Sequence, residues 1–402
     1  MSAVKMLAIA ALAAGATLPN CAAHSQSLTT LYSFTGGADG AMPYPGLMKK
    51  SGALYGTTTF GGSPDCPVGC GTVYSMSQEG TETVLHAFTG GTDGAYPGAN
   101  LINIRGNFYG TTANGGQLNC NHRRGCGTVF SVTPTGVETV LHSFKHKNDG
   151  NFPEAGLTNI GATLYGTTTH GGAYNRGTVY SITLRGRENV LYSFKGESDG
   201  SHPEAPLTYV DGVLYGTTTN GGGGKCPHGC GTVFAITPTG VETVLHAFNG
   251  KDGAFPGAPL INVAGNLYST TGFGGAAGCA TNARSSGCGT VFLITRTGIE
   301  VVLHSFAGGT DGANPYGLTL VDGTFYGTTV NGGGTGCFGF GCGTLFAVAN
   351  YGFATQYSLL SSFDGGNDAA NPYGLVHIGH KLYGTSLAGG AFGEGTVFQY
   401  TP

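Results

Sequence analysis

The sequence predicts an all-β fold, a seven-bladed β-propeller whose blades are four-stranded antiparallel sheets. Three observations predict it. One unit of 50–58 residues recurs along the chain, each unit reads as about four short strands, and the chain ends carry complementary fragments of one further unit.

Taken in order, the chain opens with the features of a signal peptide. Lys5 supplies a positive charge, Met6 to Leu18 form an apolar stretch of 13 residues, and Cys21-Ala22-Ala23 offers small residues for cleavage before His24. Thirteen apolar residues are too few to span a bilayer, which takes about 20, and no later segment reads as a transmembrane span. A lipid anchor on Cys21 is the second reading, because Pro19 and Asn20 stand where small residues would be expected. The expected organisation is a signal peptide over 1–23 and a single propeller over 24–402, in an extracytoplasmic, secreted or periplasmic setting.

A lone strand, Ser27 to Phe34, comes next. It matches the fourth strand of every later unit, and its last residue opens a series of landmarks: Phe34, Phe88, Phe144, Phe194, Phe248, Phe306 and Phe363. Between landmarks the same parts return. An Asp-Gly-x-x-Pro turn (Asp39 to Pro43, Asp93 to Pro97, Asp149 to Pro153, Asp199 to Pro203, Asp252 to Pro256, Asp311 to Pro315) starts each unit, and the seventh copy, Asp368 to Pro372, has Ala369 in place of Gly. Then follow a segment of the Leu-Tyr-Gly-Thr-Thr-x-x-Gly-Gly kind, with Tyr at 55, 109, 165, 215, 268, 326 and 383, a loop, and a Gly-Thr-Val-Phe segment. These pieces are short, rich in Val, Thr, Tyr, Phe and Leu, and bounded by Gly, Pro and Asp, which is the signature of strands. Thr133-Pro134-Thr135-Gly136 and Thr237-Pro238-Thr239-Gly240 supply the Pro and Gly of a hairpin turn between the third and fourth strands. The chain stops at Thr401-Pro402, partway into the seventh such turn, so the opening strand completes the seventh blade. A ring closed in this way has no exposed end blade, and a monomer is expected.

Composition fits this reading. Seventy-six glycines are about 19 per cent of the chain, against roughly 7 per cent on average, and only 9 per cent of residues are charged. Hydrophobic residues at 40 per cent, with 22 Phe and 20 Tyr, exclude a disordered chain, and Gly without a three-residue period excludes collagen. A net charge of −4 with no basic run leaves no footprint for nucleic acid.

Ten of the 11 cysteines fall in five close pairs, each in the loop before a Gly-Thr-(Val/Leu)-(Phe/Tyr) strand: Cys66/Cys70, Cys120/Cys126, Cys226/Cys230, Cys279/Cys288 and Cys337/Cys342. Variable spacing with one pair per loop suits local disulfides better than zinc, which needs four ligands at one centre. They are read as loop staples, and closing a five-residue loop contributes about 2 kcal/mol in the chain-entropy model.

The Leu-Tyr-Gly-Thr-Thr-x-x-Gly-Gly segments, followed by Gly-Thr-Val-Phe-x-x-Thr-Pro-x-Gly and a Leu-His-x-Phe strand, resemble the GloVer tandem repeat of the "choice-of-anchor" exported bacterial proteins. The resemblance covers essentially the whole chain after residue 23. It implies export and a repeat architecture but no particular activity, and the absence of a sorting tail after Pro402 points to release from the cell. A looser likeness to kelch propellers, in which a Gly-Gly pair follows the second strand, supports the same architecture.

Repeated polar groups are expected to be structural. The Asp of each turn is read as a turn former, since calcium wants six to eight oxygens and each copy offers one carboxylate. The residues two before each landmark Phe, Tyr32, His86, His142, Tyr192, His246 and His304, with Ser361 in the seventh unit, are read as packing units between sheets. Function should lie where the units differ. Glu154 and Glu204 directly follow the Pro of units three and four, where other units carry Tyr or Gly. His146, Lys147, His170, Arg176 and His202 stand in neighbouring loops, and the second unit adds His122, Arg123 and Arg124. Solvated surface glutamates are the commoner case. The first expectation is therefore a binding or interaction module for a glycan, peptide or protein, with no cofactor, no metal and no nucleic acid. The alternative is a polysaccharide hydrolase or lyase using Glu154 and Glu204 with His202. Trp is absent, so exposed Tyr and Phe would have to provide any stacking platform.

Overall fold

The computed structural model describes residues 27–402 except 119, 121–123, 146, 277, 280–286 and 351–354. The expected signal peptide, Cys21 and the candidates His122, Arg123 and His146 lie outside the described residues. The described residues form seven antiparallel sheets, one per unit, numbered here as blades 1 to 7. Blade 3 shows the pattern: Thr158–Ile160, Thr163–Thr168, Thr178–Thr183 and Glu188–Ser193 pair in sequence order. In blades 1 and 2 the first strand is split into two short pieces, Ala41–Pro43 with Met48–Lys50 and Ala95–Pro97 with Ile102–Ile104. Among the described residues no helix is long and apolar enough to cross a membrane.

The ring closes as the chain ends require. Ser27–Ser33 pairs antiparallel with Thr396–Thr401, placing Ser27 opposite Thr401, Thr29 opposite Gln399 and Ser33 opposite Thr396. It is the outermost strand of blade 7, beyond Lys381–Gly389 and Ala369–Ile378.

The hydrophobic core lies between blades, because a four-stranded sheet can bury a face only against its neighbour. One cluster fills each interface; that between blades 3 and 4 is built from Val179, Phe194, Leu207, Leu214, Phe234 and Ile236. The landmark phenylalanines are its fixed points. Phe194 is fully buried and meets Phe234 of the next blade edge-on with ring centroids 5.2 Å apart. The same contact recurs at all seven interfaces, including Phe363 to Phe398 at 5.0 Å and Phe34 to Tyr74 at 5.3 Å, where the ring closes. The glycine before each Thr-Val-Phe strand makes this approach possible. A Cβ on Gly177, whose φ is 97°, would stand 2.4 Å from the Thr168 carbonyl oxygen and 2.7 Å from Pro203 of blade 4. Within blades, buried hydroxyls lock the second and third strands together, as between Thr168 and Thr178 at 2.8 Å.

The recurring Asp takes the turn-forming role expected of it, while the His or Tyr two before the landmark Phe, expected as a packing unit between sheets, meets the turn Asp. Asp149 accepts from the Lys145 backbone N–H at 2.8 Å, and its counterparts Asp93, Asp199 and Asp311 do the same for Thr89, Lys195 and Ala307. His142, His246 and His304 stand beside Asp149, Asp252 and Asp311 at 3.1–3.2 Å.

The cysteines pair as expected, Cys66 with Cys70, Cys120 with Cys126, Cys226 with Cys230, Cys279 with Cys288 and Cys337 with Cys342. Their reading as loop staples alone needs correction. The second cysteine of each pair, Cys70, Cys126, Cys230, Cys288 and Cys342, is fully buried and belongs to the hydrophobic cluster between its blade and the next. The cause is position: each precedes by one residue the glycine at which the neighbouring blade's proline approaches, so its sulfur packs inward as a small apolar group.

Glu82, Glu138, Glu188, Glu242 and Glu300 begin outer strands, and the Oε1 of each is buried without a hydrogen-bond partner. Burial, with the charge of the turn Asp that starts the same unit adding to it, holds each carboxyl up to about 7. A group raised in the fold from its ordinary 4.5 contributes stability that is fully present below that value and is lost as pH rises through 7. Thermal unfolding should therefore show a higher Tm at pH 5 than at pH 8. Glu138→Gln, Glu188→Gln and Glu242→Gln should each flatten that slope and raise Tm at pH 8 by about 2 °C; an unchanged slope would place its origin elsewhere. Urea unfolding of Phe194→Ala should show a loss of about 3–5 kcal/mol, as for other fully buried phenylalanines.

Candidate functional site

Strand order puts two kinds of connection on one face: the cysteine loops between second and third strands, and the Asp-Gly-x-x-Pro turns that lead into the next blade. The residue after each Pro forms a set of seven equivalent positions: Tyr44, Gly98, Glu154, Glu204, Gly257, Tyr316 and Tyr373. Most of them line a well of about 90 Å³ to which all seven blades contribute. Tyr373 adjoins it, its ring edge-on to Tyr316 with centroids 4.9 Å apart. None of the residues lining the well is Lys, Arg or His. The solvated-surface expectation therefore fails for Glu154. It is partly buried in the well, and desolvation, then the charge of Glu204, holds its carboxyl up to about 7. The Tyr44 hydroxyl is likewise pushed well above its ordinary value, first by burial and then by Tyr316 and the two glutamates.

Glu204 also lines a second, wider space, a cleft of about 980 Å³ above blades 3 to 5. Its carboxylate is exposed there and accepts from the Thr219 hydroxyl at 3.2 Å. Well and cleft thus share Glu204, which stands at their border; together they are called the funnel, and that border its neck. His170, Arg176 and His202 line the cleft together. The rings of His170 and His202 meet edge-on with centroids 4.8 Å apart. Burial, then the nearby His170, Arg176 and His228, holds His202 down to about 4, so it is neutral at physiological pH. The Asn220 amide lies 3.3 Å from its Nδ1 and the Ser201 hydroxyl 3.1 Å from it, an arrangement in which Nδ1 accepts from the amide and Nε2 carries the proton. Of the other candidates, Arg124 is exposed in the blade 2 loop and does not line the cleft, while Lys147 begins the short 3₁₀ turn Lys147–Asp149. Asn220, His228, Ser198 and Glu197 line it without having been singled out by sequence; only their place in the loops of unit four could have suggested them.

The position of the cleft has a local cause. In every blade the residue before the turn Pro has a positive φ and donates its N–H to a carbonyl in the preceding blade's loop. At five interfaces that carbonyl belongs to the second cysteine of a disulfide. Phe152 donates to Cys126 at 3.1 Å, and Tyr96, Phe255, Asn314 and Asn371 donate to Cys70, Cys230, Cys288 and Cys342, each at 2.8 Å. At two it belongs instead to Arg176, which receives His202 at 2.9 Å, and to Glu394, which receives Met42 at 2.8 Å. The cleft opens at the first of these, where unit three has a cysteine-free loop.

Two triads, His142, Asp149 with Glu188 and His246, Asp252 with Glu300, bring potential metal-ligand atoms within 4.8 Å of one another. At the equivalent places Tyr32 donates to Asp39 at 3.0 Å and Tyr192 to Asp199 at 2.8 Å. A phenol that serves as well as an imidazole identifies the position as a hydrogen-bond donor to the turn Asp.

Comparison with known proteins agrees with the architecture. The model of a family described as the Gloeobacter/Verrucomicrobia repeat matches residues 15–226 and 68–282. A search of curated proteins gives no match. Among solved structures, the GH74 enzyme of Niastella koreensis is similar at a TM-score of 0.56 and 14% identity, over 93% of this chain and 53% of that one. Hydrazine synthase of Kuenenia stuttgartiensis gives 0.54 and 11%, over 90% and 95%. A puromycin-hydrolyzing peptidase of Mycobacterium tuberculosis gives 0.51 and 12%, over 87% and 50%, so this chain spans about half the length of the first and third. At such identities these likenesses speak for the fold alone. The chain belongs to the Gloeobacter/Verrucomicrobia repeat family.

Proposed function

We propose that the protein is an exported propeller, with residues 1–23 as its signal peptide, that binds a glycan, peptide or protein in the funnel above blades 3 to 5. One observation carries this reading. The residues by which units three and four depart from the repeat line two spaces that share Glu204, Glu154 in the well and His170, Arg176 and His202 in the cleft, rather than being scattered over the face. Five disulfides fit a protein that matures in an oxidising compartment. The test is a glycan and peptide array probed with the chain from residue 24. Hits should lose at least tenfold in affinity with Glu204→Gln; hits indifferent to that change would place binding elsewhere.

A second reading has its own support. Glu154 and Glu204 are neighbouring carboxyl groups in unlike surroundings, one held protonated near neutrality and the other exposed, which is how acid and base roles are divided in glycoside hydrolysis. In that case Glu154 would donate the proton to the leaving oxygen and Glu204 would act as the base or nucleophile. New reducing ends should then appear when the protein is incubated with a bound polysaccharide, the rate should fall above pH 7 as Glu154 loses its proton, and Glu154→Gln should lower it at least a hundredfold. Binding without turnover would remove this reading and leave the first.

A further inference from the structure

The seven residues that precede the turn prolines all have φ between 51° and 58°. Such a backbone suits Asn, whereas a bulky side chain there is a true outlier. Blades 6 and 7 carry the residue that fits, Asn314 and Asn371. Their amides are engaged within the scaffold: Asn314 donates to the Gly272 carbonyl at 2.7 Å and Asn371 to that of Val330 at 3.0 Å. Blades 2 to 5 carry Tyr96, Phe152, His202 and Phe255 instead. Four successive blades therefore hold a ring against the local preference of their backbone, and three of them are the blades beneath the cleft. His202 and Phe255 line it directly, and Phe152 reaches it through His170, whose ring it meets edge-on with centroids 5.6 Å apart. Met42 and Tyr96 keep the same strain without lining the cleft, so the strain points to a ligand-facing side chain where it coincides with the cleft, at His202 and Phe255.

From this we infer that His202 and Phe255, with His170 backed by Phe152, form a platform for the terminal ring of a neutral saccharide that enters the funnel end-on. The inference rests on the funnel reading and narrows it to one ligand class. Three features select that class. Aromatic faces offer the flat apolar surface on which the C–H face of a sugar ring stacks. Beside them stand planar or fixed polar groups, the Glu204 carboxylate, the Asn220 amide, the Arg176 guanidinium and the Nε2–H of His202, suited to paired hydroxyls. The formal charges lining the cleft are Arg176, Glu197 and Glu204, one positive against two negative, so there is no fixed positive excess to hold a polyanion. End-on entry follows from the neck. The well beneath Glu204 has about 90 Å³, less than the roughly 150 Å³ of a cavity that holds benzene, so a sugar ring stops above it.

The test uses Phe152→Asn, His202→Asn and Phe255→Asn, each copying the solution found in blades 6 and 7, in the chain from residue 24. The probes are linear neutral oligosaccharides of the glucan, xylan and mannan series and cyclic glucans, which have no end. Linear oligosaccharides should bind and cyclic ones should not. The variants should keep or raise the melting temperature while losing at least tenfold in affinity. Variants that melt well below the parent would show the rings to be packing and overturn the inference, as would equal binding of cyclic and linear glucans. If no neutral saccharide binds but a peptide hit depends on Glu204, the saccharide inference fails and the funnel reading stands. If neither kind of ligand depends on Glu204, both fail.

Discussion

Closure of the ring is the constraint on which the rest of the structure depends. Each blade buries one phenylalanine edge-on against an aromatic of the next, and seven such contacts must return the chain to its starting point. A blade has few partners beyond its two neighbours, so the residues repeated in every unit are those that set the angle between neighbours. The landmark Phe, the glycine that admits the next blade's proline, the turn Asp and its His or Tyr donor all belong to this set. Because closure consumes the repeated residues, chemistry is left to positions that vary from blade to blade.

The disulfides belong to closure as well. Each sits in a loop whose last cysteine offers its carbonyl to the strained residue at the start of the next blade. They therefore stiffen interfaces rather than merely tying off loops. The two interfaces without them have different fates. At one, between blades 7 and 1, the chain passes into blade 1 from Ser27–Ser33, the strand whose pairing with Thr396–Thr401 inside blade 7 holds the ring. At the other, between blades 3 and 4, the sheets are joined by a continuous chain, and the shorter loop leaves room for the cleft. An unstapled interface next to two glutamates is where the molecule becomes unlike itself.

Much of this was legible in the sequence, because blade boundaries, turn chemistry and cysteine pairing are local. The terminal strand at Ser27–Ser33 could be assigned to the last blade from its match to the fourth strands alone. Glu154 and Glu204 were visible as departures from a repeated position, and the convergence of Glu204 with His170, Arg176 and His202 follows from units three and four being adjacent. What sequence reasoning missed arises between blades. The burial of Cys70, Cys288 and Cys342 depends on the following blade covering them, which spacing within one loop does not report. The partial burial of Glu154 results from seven blades meeting at the axis, and Asn220 joins the site by lining the cleft and donating to His202 of the preceding turn. The positive φ of Phe152, His202 and Phe255 was hidden because nothing in an Asp-Gly-x-x-Pro turn reports the pull exerted on it by a neighbouring loop.

The closure itself can be measured by shortening the chain to begin at residue 35 and adding the missing strand, residues 27–34, as a synthetic peptide. The account predicts that the shortened chain loses its cooperative thermal unfolding and that the peptide restores it, with a Tm that depends on peptide concentration. A shortened chain that melts as the parent does, whether or not the peptide is present, would contradict it.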